Sequence, residues 1–112
     1  MKDKKELQRE YQSRTVTGGV VAIKNTVTGK VFLDKTVNLQ GTLNRFAFSQ
    51  NTKTCIHAKL RSDWQTHGTE SFVIEVLESL DKEETQSDKE FREDVAVLLD
   101  CWLEKIPPEE LY

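Results

Sequence analysis

The chain alternates short β-branched runs with longer stretches whose apolar residues recur every three or four positions. Its clearest pattern is Gly18 to Thr36, where two apolar runs, Gly19 to Lys24 and Lys30 to Lys35, flank the polar connection Asn25-Thr26-Val27-Thr28-Gly29. Val20, Val21, Ile23, Val31 and Phe32 suit a pleated surface, and Gly29 offers the positive φ of a tight connection, so the stretch predicts a β-hairpin. Asn38 then stands as an N-cap before Leu39, Leu43, Phe46 and Ala47, which predicts a helix over 38–50. Gly41 within it costs about 1 kcal/mol relative to alanine. The polar run Ser49 to Thr54 reads as a loop. Ile56, Leu60 and Trp64 at i, i+4 spacing predict a second helix, ended by Gly68 in the place of a left-handed C-cap.

Ser71 to Leu80 returns to a period of two and predicts a third strand beside the hairpin, with Phe72, Ile74 and Val76 inward. A polar, acidic loop follows from Asp81 to Asp88. The longest amphipathic pattern, Lys89 to Lys105, brings Phe91, Val95, Leu98, Leu99 and Trp102 to one face, with Ile106 in step, before Pro107 and Pro108 stop the helix. Over residues 2–14, Leu7 and Tyr11 are the one apolar pair at i, i+4, enough for a short helix with a single docking stripe. The order predicts an α+β fold: a small, mainly antiparallel three-stranded sheet, made of the hairpin and a later strand and flanked by helices. At 112 residues this is one domain, with a helical extension over 1–16, a core over 18–106 and a tail over 107–112.

Composition narrows the class. A hydrophobic fraction of 37% and a charged fraction of 31% fit a globular chain, and no apolar run approaches the roughly 18 residues of a membrane span. The charged start Met1-Lys2-Asp3-Lys4-Lys5-Glu6 does not read as a secretory signal, so a cytoplasmic location is the default expectation. Cys55 and Cys101 lack metal or redox spacing and are expected to be reduced and mostly buried. His57 and His67 fall on a predicted helix, too far apart for one metal, and read as ordinary surface histidines. Trp64 and Trp102 sit on apolar stripes and read as core rather than as base-stacking platforms. Charge is uneven: residues 1–68 carry 12 basic and 5 acidic side chains, net +7, while residues 69–112 carry 4 and 14, net -10.

The ordered set of motifs resembles the GIY-YIG nuclease family, whose domain opens with a hairpin carrying those two tripeptides. Gly19-Val20-Val21 stands in the place of the first and Phe32-Leu33-Asp34 in the place of the second. Asn38-Leu39 opens the next helix, Leu60, Asp63-Trp64 and Gly68 precede the run Phe72 to Glu78, and Trp102-Leu103-Glu104-Lys105-Ile106 closes the last helix. The resemblance spans about residues 18 to 106 and implies a fold built for phosphodiester cleavage. The family uses hairpin tyrosines, one helping to activate water, an arginine on the next helix to meet phosphate charge, and a glutamate on a later helix to hold a divalent metal such as Mg²⁺. Such chemistry needs a base, a cation and hard oxygen ligands. By the resemblance, the tyrosine positions fall on Val21 and Phe32, the arginine on Thr42 and the metal-binding glutamate on Leu99. Asp34 replaces a glycine with a charge that repels phosphate, Arg45 is the local substitute for the arginine, Phe46 stands at a histidine position, and Asp100 is the weak candidate for the metal.

Three functions follow as expectations. With base hydroxyls, cation and metal ligand replaced together, the chain is expected to have lost phosphodiesterase activity and to serve as a binding or interaction module, paired through its basic and acidic parts with a partner or with itself. A second reading is non-specific DNA or RNA binding by Lys24, Lys30, Lys35, Arg45, Lys53, Lys59 and Arg61. The third is a residual metal-dependent endonuclease using Arg45 with Asp100, Glu104 or Glu75. In that reading alone a cofactor, a divalent metal, is expected. Leu111 and Tyr112 are expected to be exposed and able to extend an interface.

Overall fold

The computed structural model describes residues 16–112 other than Ile56. The helix predicted over 2–14 lies outside these residues, as does Ile56 of the second predicted stripe. The hairpin forms as its pattern dictates: strand β1, Thr17–Asn25, pairs antiparallel with β2, Val31–Thr36, in the unbroken register Gly19↔Thr36 to Lys24↔Val31. Asn25 closes the connection. Its N–H donates to Lys30 O at 2.9 Å, its O accepts from Gly29 N at 2.8 Å, and its Oδ1 accepts from Val27 N at 2.9 Å. Gly29 has φ 80, which its missing Cβ permits.

Helix α1 spans Leu39–Thr52, with the Asn38 side chain accepting from Gly41 N at the cap. It runs past the predicted end, so Ser49 to Thr52 are helical rather than loop. The cause is local: the Ser49 hydroxyl donates to Phe46 O at 2.7 Å and that of Thr52 to Phe48 O at 2.9 Å, which satisfies both within the helix. Lys53, at φ 59, ends it. The second predicted helix is shorter than its stripe. A 3₁₀ turn, Ala58–Leu60, leads into α2, Arg61–His67, and the Gly68 N–H closes back on Trp64 O.

Strand β3, Phe72–Asp81, lies antiparallel beside β1 and gives the sheet order β2-β1-β3. The register shifts between Val20 and Val21, leaving Leu77 as the extra residue of a bulge. Phe72 is buried on the predicted inner side and Ile74 half-buried. Val76, paired with Val21, keeps that side yet is 40% exposed, because on this outer strand nothing among the described residues covers it. The acidic loop then leads to α3, Asp88–Lys105, entered through a capping box of Ser87 and Glu90.

Alternation assigns the two faces. Val21, Ile23 and Asn25 share one with Phe32, Asp34, Phe72 and Ile74, and there Ile23, Phe46, Leu60, Trp64 and Phe72 form the main core. Phe46 meets Trp64 edge-on at 6.1 Å between ring centres, and Trp64 meets Phe72 at 4.9 Å. The other face carries Val20, Ala22 and Leu33 and is covered by α3, whose Phe91 and Val95 are buried. Trp64 is core as expected, but Trp102 is not fully buried: its indole N–H donates to Glu78 Oε1 at 2.9 Å and Lys105 lies over its ring. Cys101 is exposed and Cys55 half-buried, both as free thiols, so the expectation of two mostly buried cysteines fails on a helix position that faces solvent.

Candidate functional site

The positions that the resemblance gives to hairpin tyrosines, Val21 and Phe32, lie on the main-core face of the hairpin. Val21, at 0% exposure in the central strand, lies between Asp34 and Val76 in register. It is sealed packing surface. Phe32 is half-buried, packs against the main core and meets His57 at a tilt of 46° with ring centres 4.6 Å apart. His57 Nε2 in turn lies 3.4 Å from Asp34 Oδ2, and the Cys55 thiol donates to His57 O at 3.0 Å. His57 is thus half-buried in a residue network in the segment before the 3₁₀ turn, not an ordinary surface histidine on a helix. Thr42 is buried at the start of α1, where its hydroxyl donates to Thr36 Oγ1 at 2.7 Å, while Arg45 on the same helix is exposed.

Beside this face lies a network that no local sequence pattern announces. Asn25 is fully buried, and its Nδ2 donates to Tyr112 Oη at 2.9 Å and to Asp63 Oδ2 at 3.4 Å. The Tyr112 hydroxyl donates to Asp63 Oδ2 at 2.7 Å. Burial first, and then this bond to Asp63, push the Tyr112 pKa above the ordinary tyrosine range. Tyr112 N donates to Val31 O at 3.0 Å, and Leu111 bridges to Val31 in parallel, so these residues cap the start of the β2 edge. Leu111 and Tyr112 are therefore half-buried rather than exposed: β2 offers them unpaired backbone groups, and Asn25 and Asp63 offer partners for the hydroxyl.

The basic candidates are all exposed, and the sheet divides them. Lys24 and Lys35 alternate onto the α3 face, Lys30 ends the hairpin connection and lies over the Tyr112 ring, and Arg45, Lys53, Lys59 and Arg61 belong to the helical segments over the other face. The metal position fares differently. Leu99 is apolar and half-buried on α3, Asp100 beside it is exposed, and Glu75 and Glu104 are exposed on β3 and α3. Among the described residues no group of three or more His, Cys, Asp or Glu side chains comes together to hold a metal ion. An apolar side chain offers a hard cation no ligand, so the residues at this position do not fit one.

The fold is similar to that of the catalytic domain of the homing endonuclease I-TevI, a GIY-YIG endonuclease. The TM-score is 0.61 at 19% identity, over 85% of this chain and 95% of that one. A second structure, the catalytic domain of the intron endonuclease I-TevI with one glutamate-to-alanine substitution, gives 0.58 at 19% identity over 80% and 82%. The likeness is one of fold: α+β, with a three-stranded antiparallel sheet and three helices among the described residues. No family profile matches the chain, and no curated protein sequence matches it. No helix among the described residues is long and apolar enough to cross a membrane.

Proposed function

We propose that this chain is a nuclease-like domain that no longer hydrolyses phosphodiesters and works as an interaction module. The observation that carries the proposal is Val21, which is wholly buried where the resemblance sets a hairpin tyrosine. Phe32 has no hydroxyl, the Thr42 hydroxyl is bonded to Thr36, and Leu99 offers no oxygen to a cation. Because such groups act as a unit, replacing all of them removes the reaction rather than slowing it. Supercoiled plasmid incubated with pure protein and Mg²⁺ or Mn²⁺ is expected to stay supercoiled. Metal-dependent nicking that disappears with Arg45→Ala would overturn the proposal.

A second reading, contact with nucleic acid, is favoured by the exposure of Arg45, Lys53, Lys59 and Arg61 on helical segments over one face, and by the homing endonuclease whose fold this chain resembles. Its signature is retardation of DNA that fades as salt rises, because phosphate contacts release counterions.

A further inference from the structure

On the β2 edge, Leu111 and Tyr112 pair with Val31, the first residue of that strand. On β3, which is ten residues long, no described residue forms a strand on the outer side. The hydrogen bond from Thr26 N to Ser71 O at 2.8 Å continues the β1–β3 ladder and sets its parity. Val73 and Glu75 therefore turn their N–H and C=O groups toward β1, and Phe72, Ile74 and Val76 turn theirs outward. Those of Phe72 are already used, its N–H on Thr69 O and its C=O by Gln50 Nε2 at 2.8 Å. The outward groups of Ile74 and Val76 have no strand partner among the described residues, just before the bulge.

Beside them runs a groove of about 710 Å³ between α1 and β3, lined by Leu43, Phe46, Ala47 and Ile74, with Lys53 and Glu70 also on its wall. On the opposite face of the strand stand Glu75 and Glu78, both exposed, and Val73 at 46% exposure. We propose that the open edge of β3 takes an extended peptide with alternating apolar and basic side chains as a fourth strand. Its apolar residues lie beside Ile74 over the groove, and its basic residues face Glu75 and Glu78 on the other side. Backbone bonds to Ile74 and Val76 supply affinity, and the alternation supplies selectivity. Pairing of β3 with β3 of a second copy would bring the same acidic side chains together, which disfavours it against a basic partner.

The proposal rests on the reading of the chain as an interaction module. Plasmid nicking would refute that reading through a different assay, leaving the edge to be judged by its own. The probe is an acetylated, amidated peptide of alternating valine and lysine, added to the full chain while amide hydrogen exchange is followed residue by residue. Saturation is expected to slow exchange at Ile74 and Val76 by about 10-fold or more, while Val73 and Glu75, already bonded to β1, change little. Glu75→Lys is expected to weaken this peptide by about 3-fold or more and to strengthen binding of the valine–glutamate counterpart, a swap that a merely structural role for Glu75 would not produce. Binding that leaves the Ile74 and Val76 amides unprotected would overturn the proposal. So would protection of those amides in the free chain together with a dimer in sedimentation.

Discussion

On the proposed reading, single residues separate this chain from a phosphodiesterase. Val21 is sealed within the sheet, so adding a tyrosine there overpacks a filled site: Val21→Tyr is expected to cost about 1–3 kcal/mol in urea unfolding. A neutral effect would mean that the site has room for a large side chain. Asn25 holds both the hairpin connection and Tyr112, so Asn25→Ala, which removes a buried side chain and its part-buried hydrogen bonds, is expected to cost about 1–3 kcal/mol. Tyr112 adds a pH signature. Its folded pKa is raised above the unfolded value of about 10, so its contribution is fully present below pH about 10 and is lost as pH rises through the raised value. Ultraviolet titration should show a tyrosine ionising late in the folded chain, and Tyr112→Phe should remove that step. Val21 and Phe32 were legible as departures from the motifs the chain resembles, because each stands in a short motif. The Asn25, Asp63 and Tyr112 network was not, because its members lie 38 and 87 positions apart from Asn25 and share no period.

Elements were legible where one local rule governs them. The hairpin and α3 each carry a periodic apolar pattern with punctuation at both ends, and both form close to the expected bounds. The end of α1 was misread because Ser49 and Thr52 look like loop residues until their hydroxyls bond back into the helix. Val76 keeps its predicted side but not its predicted burial, because alternation gives the side of a sheet but not whether a helix covers it. The β1–β3 pairing contains one conformational requirement that pattern does not reveal. Gly19, at φ 155, sits beside the bulge, and a Cβ there would overlap the Glu78 carbonyl oxygen. Gly19→Ala is therefore expected to destabilise the chain by about 2 kcal/mol or more, read as a lowered thermal midpoint. An unchanged midpoint would mean that the strands can separate there at no cost.

At the scale of the whole molecule, the sheet separates candidate surfaces that the chain order runs together. Lys24 and Lys35 share the α3 face, whereas Arg45, Lys53, Lys59 and Arg61 ride on the helical segments opposite, a division that follows from strand alternation. The acidic half of the sequence likewise divides between β3, the loop after it and α3. The fold's likeness to an endonuclease catalytic domain and the packing of its hairpin thus point in different directions, and function follows the side chains rather than the frame. The measurement that separates them is one plasmid experiment at low salt with Mn²⁺, run with the natural chain and with Arg45→Ala and read for both retardation and nicking. The account predicts no nicking by either protein, whatever retardation occurs. Metal-dependent nicking by the natural chain that Arg45→Ala abolishes would contradict it.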